Sequence, residues 1–302
     1  MGKKIVAFGE LIWDVFQDGK KMGGAPVNLV YRVNALGDEG YLLSRVGSDE
    51  AGNEALQMLN KLHVTDRFVQ VDPVFHTGLA KVKVGSEGRP DYQIESDLAF
   101  DHIETTREYL SLVREADCLC FGTLVQRSGI SRNTLHGLLT EIPLTLKYLD
   151  LKLRKGYYTY QIIEESLRAA NILRVKESEL YLLKNELGLF EYESKALAQE
   201  LIREYNLDVV LVTQSKEGAF ALDADGNFFD DRWYVIELVD TVGSGAAFSA
   251  GFLHVYLEEK NLEAALRFGN AAGALTAETH GATVFISKRQ IIALMDSGKR
   301  RS

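Results

Sequence analysis

The sequence has little cysteine, little proline and no long apolar run, and each shortage excludes a class of protein. Its 302 residues include two cysteines and four prolines, which excludes a disulfide scaffold and a proline-rich linker. The longest apolar runs fall far short of the about 20 residues that a membrane-spanning helix needs. Cys118 and Cys120 form one close pair, too few for a four-ligand metal site. We therefore expect core thiols in a reduced, cytosolic protein with no membrane partner.

Positive charge is also in short supply. Acidic residues outnumber basic ones by 43 to 34, which gives a net charge of −9. A broad nucleic-acid interface needs Lys and Arg to replace the counterions of phosphates, so this class is excluded and only a local basic pocket remains open. The 46% hydrophobic and 25% charged residues are typical of a globular protein. The length fits one large α/β domain or two modest ones.

Short apolar runs alternate with amphipathic segments along nearly the whole chain. The runs are rich in β-branched residues or Leu without strict polar alternation, as expected for strands covered on both faces. The predicted strands are 4–8, 41–46, 117–121, 144–151, 171–175 and 208–213. The predicted helices between them are 26–36, 50–62, 105–115, 160–169 and 194–205. This alternation predicts a parallel sheet sandwiched by helices.

One stretch, 67–95, breaks this pattern and is predicted to form three short strands, 67–71, 76–84 and 90–95. The second alternates between a small, apolar face and a more polar one, which is the period of a strand. A small β element inserted into an α/β body is a candidate lid over a ligand. We expect lid strands from about 10–22 and 67–98, whose exposed edge invites pairing in a homodimer.

The segment 240–251 is the most informative part of the chain. Gly243 and Gly245 precede an apolar helix predicted from Ala246 onward. Such glycines let backbone N–H groups converge on an anion, and the positive end of the helix adds to the field. The alternative is a loop that only packs a helix against a strand. No Gly-x-x-x-x-Gly-Lys-Ser/Thr occurs, and Phe248 stands where a dinucleotide fingerprint has Gly or Ala, so both commoner phosphate motifs are excluded.

A second polar group follows the first predicted strand. Asp14 lies just past the carboxyl end of this strand, and Gly23, Gly24 and Asn28 lie around the start of the first helix. A carboxylate can accept from two hydroxyls, and an amide can both donate and accept. These residues favour a ligand rich in hydroxyl groups, although an Asp at position 14 taken alone is more often a turn or cap residue than a ligand.

Together the two segments resemble the two signatures of the ribokinase/PfkB family of carbohydrate kinases. The matching letters are Gly23-Gly24-x-x-x-Asn28 and Asp240-Thr241-x-Gly243-x-Gly245, in the right order and separation. The chain is most similar to bacterial fructokinases, through the segments 9–14, 89–94 and 99–101. The resemblance implies one ribokinase-like α/β domain over residues 1–302, a three-layer sandwich with a mostly parallel central sheet and a small β-sheet lid.

The resemblance also implies transfer of the γ-phosphoryl of ATP to a sugar hydroxyl, with Mg²⁺ assisting. The implied sugar contacts are Asp14, Gly23, Gly24, Asn28 and, from the lid, Tyr92. The implied anion hole is Gly243, Ser244 and Gly245, with the family's base at position 246. The implied nucleotide contacts are Lys176, Glu179, Thr213, Ser215, Gly218, Asn270 and Gly273, Glu179 also supporting the metal. The family allows a monovalent cation, for which Asp240 and the Val242 carbonyl are candidates.

Four positions depart from the family pattern. Ala246 replaces the Asp that accepts the proton of the attacking hydroxyl, and loss of a general base typically costs about 10²–10⁴-fold in rate. Lys152 and Lys176 each replace an Asn. An ammonium group there would repel Mg²⁺ but could itself neutralise phosphate charge. Ser215 replaces a usual Gly and would crowd the nucleotide.

Three functions therefore stay open. The first is a fructokinase-type sugar kinase with impaired catalysis, and the second is an inactive homologue that binds a sugar or nucleotide. The third is a kinase for another sugar or a nucleoside. All three require Asp14 and Gly245 to face one cleft.

Overall fold

The structure is a computed structural model that describes residues 2–16, 19–84 and 90–300. The strands are β1 (Lys4–Phe8), β2 (Ile12–Phe16), β3 (Gly19–Gly23), β4 (Glu39–Gly47), β5 (Val69–Asp72), β6 (Gly78–Val84), β7 (Pro90–Ile94), β8 (Cys118–Phe121), β9 (Leu146–Asp150), β10 (Ile172–Lys176), β11 (Val209–Thr213), β12 (Ala219–Asp223) and β13 (Phe228–Asp231). The helices are α1 (Ala25–Ala35), α2 (Glu50–Lys61), α3 (Arg107–Arg114), α4 (Gly129–Glu141), α5 (Tyr160–Ala169), α6 (Glu177–Leu187), α7 (Ser194–Tyr205), α8 (Ser244–Glu259), α9 (Leu262–Ala277) and α10 (Lys288–Asp296).

The larger sheet has nine strands in the order β13-β12-β11-β10-β9-β8-β1-β4-β5. All neighbours from β11 to β5 pair in parallel, and β12 and β13 add an antiparallel edge. Successive side chains of β1 enter two different cores, Val6 and Phe8 on one face and Ile5 and Ala7 on the other. Helices cover both faces, because a strand with two buried faces needs cover on each. The prediction of a parallel sheet between helical layers is confirmed.

The smaller sheet has four strands in the order β3-β2-β6-β7. Two antiparallel hairpins, β2–β3 and β6–β7, are joined by a parallel pairing of β2 with β6. The predicted strand 67–71 was wrongly assigned to this element, since β5 instead pairs in parallel with β4 at the edge of the larger sheet. The physical reason is that β4, α2 and β5 form a strand–helix–strand unit, which returns the chain beside its first strand. Residues 85–89, between the predicted strands 76–84 and 90–95, lie outside the described residues.

The two cysteines behave as core residues. Both side chains are buried on β8, with their sulfur atoms 3.7 Å apart, so the prediction of core thiols is confirmed. Within the described ranges, none of the helices combines the length and the apolar character that crossing a bilayer requires.

Candidate active site

The predicted site residues gather at the carboxyl ends of the parallel strands. β9 ends at Asp150, β10 at Lys176 and β11 at Thr213, side by side in the sheet. α8 begins at Ser244 and presents its amino end to the same edge, since Gly245 lies against the side chain of Arg174 on β10. In an open α/β sheet this edge is where ligands bind.

The polar residues of the amino-terminal signature lie where the smaller sheet, which is the predicted lid, joins α1. Asp14 lies on β2, and a Cβ atom at Gly23 would stand 2.5 Å from its Oδ2 atom. Gly23 thus lets the carboxylate lie against the backbone. Gly24 caps α1 with φ of 107°, a conformation that favours glycine. Asn28 follows one turn later and is 9% exposed.

Three buried polar atoms around this junction have no hydrogen-bond partner among the described residues. They are Oδ1 of Asp14, Oδ1 of Asn28 and Nη1 of Arg154. Buried polar atoms in folded proteins are nearly always paired, so this set of two acceptors and one donor is suited to a polar ligand. Burial raises the pKa of Asp14 to about 6, with the charge of Arg154 lowering it and that of Glu10 raising it further.

Arg154 also links this region to the lid. Its guanidinium carbon lies 4.3 Å from the centre of the Tyr92 ring, a favourable stacking distance. Burial raises the pKa of Tyr92, and the charges of Asp14 and Asp240 add to the rise while Arg154 opposes it. Because charged residues of both signatures act on one phenol group, both signatures lie on the Tyr92 side of the molecule. Asp240 itself accepts hydrogen bonds from the backbone N–H groups of Val242 and Gly281, at 2.9 and 3.0 Å.

The start of α8 has the features of an anion site. Gly243 occupies the cap position with a left-handed φ of 86°, and no side chain caps the helix. A Cβ atom there would come within 2.6 Å of the Ala282 backbone, so glycine is needed for space as well as for conformation. The free N–H groups at an uncapped helix start attract negative charge. Oγ of Ser244 is buried without a partner among the described residues, and Ala246 is 2% exposed.

A buried charge network that the sequence interpretation missed lies directly beneath this helix start. Arg174, 3% exposed, donates to Asp150 Oδ1 at 3.1 Å and to Thr213 Oγ1 at 2.8 Å. Its Nη2 atom would be 3.0 Å from a Cβ atom at Gly245. The sequence does contain one sign of this network, because Arg174 is a charged residue in the middle of the otherwise apolar strand 172–176. Lys152 adds a second cation, 3.0 Å from Asp150 Oδ2.

The balance of charges fixes the protonation of this network. Burial would raise the pKa of Asp150, but the charges of Lys152 and Arg174 and the hydrogen bonds from both outweigh it and lower the pKa. Burial among the surrounding protein atoms lowers the pKa of Lys176, and the charges of Arg174 and Lys152 add to this against Glu179 and Asp150. The side chain of Lys176 is nevertheless exposed. A side chain that is exposed to solvent but has protein on most sides lies in a concave surface, so Lys176 lines such a surface.

Glu179 has a positioning role that differs from the predicted support of a metal. Its Oε1 atom accepts from the N–H of Leu153 at 3.1 Å, and its Oε2 atom accepts from the N–H of Lys176 at 3.0 Å. Each oxygen of the carboxylate is therefore bonded to backbone. Glu179 ties the loop after β9 to the start of α6.

The described side chains do not fit a magnesium ion held by the protein. Mg²⁺ needs oxygen ligands, usually one or two carboxylates with phosphates and water. Asp150 is already paired with two cations, and Glu179 is bonded to two N–H groups. Within the described ranges, no three His, Cys, Asp or Glu residues cluster as a metal site would require.

The remaining predicted nucleotide contacts lie between β11 and β12 and on α9. Ser215 has a left-handed φ of 52°, which agrees with the family's Gly at this position. Gly218 packs against the Asp231 carbonyl, and Gly273 packs against the Ser244 carbonyl. Asn270, 1% exposed, donates to Asp231 Oδ2 at 2.6 Å. Asn270 therefore fixes the segment 231–232 and offers no open surface to a nucleotide.

A separate cavity of about 600 Å³ contains none of the predicted site residues. It lies behind the lid, on the face opposite Asp14, and its lining includes Val15, Lys20, Glu50 and Leu79. Neighbouring residues of a strand point to opposite faces, which separates Val15 from Asp14. The predicted dimer through the lid stays a prediction.

Comparison with known proteins agrees with this geometry. Residues 2–289 match the description "pfkB family carbohydrate kinase". Fructokinase-1 of Oryza sativa is 26% identical over 97% of this chain and 98% of its own length. An uncharacterized sugar kinase from Pyrococcus horikoshii in complex with ATP has a TM-score of 0.81 at 25% identity, over 96% of this chain and 99% of that one. A fructokinase with bound ATP from Xylella fastidiosa has a TM-score of 0.83 at 18% identity, over 98% and 99%. The fold is therefore ribokinase-like, and the chain belongs to the pfkB family of carbohydrate kinases.

Proposed function

We propose that this chain is a sugar kinase of the fructokinase type that binds its sugar and ATP but transfers the phosphoryl group slowly. One observation carries the proposal. It is the presence of three unpartnered buried atoms, on Asp14, Asn28 and Arg154, which we propose to border the same cleft as the uncapped start of α8, since the charges of Asp14, Arg154 and Asp240 all act on Tyr92. A polyhydroxy ligand satisfies the first group and a phosphate satisfies the second.

The sugar end of the cleft suits a ketohexose. The ionised Asp14 carboxylate accepts from sugar hydroxyls, Asn28 Oδ1 accepts from another, and Arg154 Nη1 donates to a hydroxyl or ring oxygen. Tyr92, stacked on Arg154, closes the lid side. Fructose is our proposed substrate because relatives that cover nearly the whole chain are named fructokinases.

At the other end, ATP supplies the γ-phosphoryl group. The N–H groups of Gly245 and Ala246 at the helix start stabilise the charge of this group as it moves, and the lid excludes water. Phosphoryl transfer depends mostly on such positioning and charge stabilisation. What is missing is the proton acceptor, because Ala246 presents a methyl group where the family has a carboxylate.

A second function, binding of sugar or nucleotide without turnover, is favoured by the same Ala246. It differs from the first only in whether any transfer remains. The two are distinguished by restoring the carboxylate.

The test measures ATP-dependent phosphorylation of fructose by the natural chain and by Ala246→Asp, with fructose binding followed by calorimetry. We expect the variant to be about 10²–10⁴-fold faster, which is the usual value of a general base. Because position 246 is buried, thermal unfolding of the variant must show that the fold is kept. Asp14→Asn is the control that should lose sugar binding in either background.

Each negative result has a separate meaning. If both chains are silent but bind fructose, the chain is a binding protein. If neither binds fructose, the proposed sugar site is wrong. Binding and turnover of a different sugar or a nucleoside would overturn the substrate assignment alone.

A further inference from the structure

We propose that Lys152 and Lys176 form a cation pair that binds the phosphates of the nucleotide without a divalent metal. This inference rests on the proposed function, because it assumes that a nucleotide lies along the start of α8. It goes beyond that function by stating the form of nucleotide that the chain prefers.

The backbone brings the two lysines together. β9 and β10 are parallel neighbours, so the loop that carries Lys152 and the strand end that carries Lys176 leave the sheet at one edge. The Glu179 carboxylate then joins them, by accepting from the N–H of Leu153 and the N–H of Lys176. The backbone at both lysines is thus held by one carboxylate, whose two oxygens are each bonded to an N–H group.

The local charge is positive. Lys152, Arg174 and Lys176 supply three cations against the carboxylates of Asp150 and Glu179. Arg174 and Lys152 share the single carboxylate of Asp150, and no carboxylate in the described ranges forms an ion pair with Lys176. An exposed and unpaired ammonium group in a concave surface is suited to an anionic ligand.

This charge lies at the phosphate end of the cleft. Arg174 connects Asp150 to the backbone of Gly245, so the cation cluster and the start of α8 are in contact. A divalent ion there would meet the positive charge and find few open oxygens. A polyphosphate would instead find the neutralisation that a metal ion normally provides, because lysine ammonium groups bind phosphate as point charges.

The backbone at position 152 makes the test practicable. Lys152 has a left-handed φ of 47°, a conformation that Asn adopts more readily than Lys. Lys152→Asn is therefore expected to keep the fold. Lys155, exposed in the same loop, provides a matched control through Lys155→Asn.

The experiment titrates ATP into the full chain by calorimetry, once with excess EDTA and once with excess Mg²⁺. We expect the natural chain to bind equally well, within about threefold, in both conditions. The double variant Lys152→Asn/Lys176→Asn should lose about 100-fold in affinity with EDTA, about tenfold for each charged contact. The double variant should recover part of the lost ATP affinity when Mg²⁺ is present. The control Lys155→Asn should bind ATP as tightly as the natural chain in both conditions.

Three results would overturn the inference. In the first, the natural chain binds ATP only when Mg²⁺ is present, which leaves the proposed kinase function intact. In the second, the double variant binds ATP with EDTA as tightly as the natural chain does. Absence of ATP binding in both conditions would refute the nucleotide site itself, and the inference with it. Thermal unfolding of every variant shows that losses of affinity are not losses of fold.

Discussion

The carboxylate of Asp14 gives the most specific prediction, because its raised pKa corresponds to a defined loss of folding free energy. Burial raises its pKa to about 6 from an ordinary value of 3.8. Between these two values the folded chain holds more protons on Asp14 than the unfolded chain does, so this group lowers the stability as the pH rises. A shift of about two units corresponds to about 3 kcal/mol of lost stability once the pH is well above 6.

The perturbation is Asp14→Asn, which keeps the shape and removes the charge. We expect the variant to be more stable than the natural chain by about 1–3 kcal/mol at pH 8, the lower bound allowing for solvent screening and imperfect amide hydrogen bonds. The difference should shrink as the pH falls through 6 towards 4, where the natural carboxyl group becomes neutral in the folded chain. Urea unfolding of both chains across this range measures it, and groups common to both cancel.

The same carboxylate predicts the pH dependence of sugar binding. If sugar hydroxyls donate to ionised Asp14, the affinity should be constant above about pH 7 and fall about tenfold for each unit below 6. Asp225→Asn, at an exposed turn, is the control that should change neither property. The reasoning would be refuted if Asp14→Asn were less stable than the natural chain at pH 8, or if it kept full affinity for the sugar.

Two further predictions concern the nucleotide side. Arg174→Met should destabilise the fold by about 1–3 kcal/mol, because it removes the hydrogen bonds of Arg174 to Asp150 and Thr213 and leaves the partly buried Asp150 with Lys152 alone; a free energy of unfolding at neutral pH within about 0.5 kcal/mol of that of the natural chain would contradict the network. Ser215→Gly should stabilise the chain by up to about 1 kcal/mol by relieving its left-handed conformation, as measured by urea unfolding, whereas a loss of stability would show that Ser215 makes a compensating interaction.

Amphipathic helices with clear caps could be predicted from the sequence. α5 and α7 have the predicted bounds, since each places polar and apolar residues on opposite faces. α9 was not predicted, because most of its residues are buried and such a helix lacks a polar stripe. The edge strand β5 was placed in the wrong sheet, since four residues carry no information about which neighbour they will pair with.

The candidate site could be predicted from the sequence only in part, for a similar reason. Glycines with a fixed spacing predict the loop before α8, because the conformation of Gly243 is a local property. The bond of Glu179 to Leu153, 26 residues away, and the unpaired atoms of Asn28 and Arg154 depend on distant segments, so no pattern of neighbouring letters predicts them. Arg174 was overlooked because a single charge inside an apolar strand looks like an exception until its partner Asp150 is known.

The departures from the family pattern at positions 152, 176 and 246 all make the local charge more positive. One removes a negative charge and two add positive charges, so the phosphate end is three charges more positive than the family pattern. Positive charge stabilises bound phosphate before and during transfer alike, and interactions that are equal in both states tighten binding without raising the rate of chemistry. Loss of the base at 246 removes the interaction that acts only during transfer. The three changes together therefore favour the proposed function, in which the chain holds its nucleotide firmly and turns it over slowly, and Ala246→Asp alone should restore the transfer step.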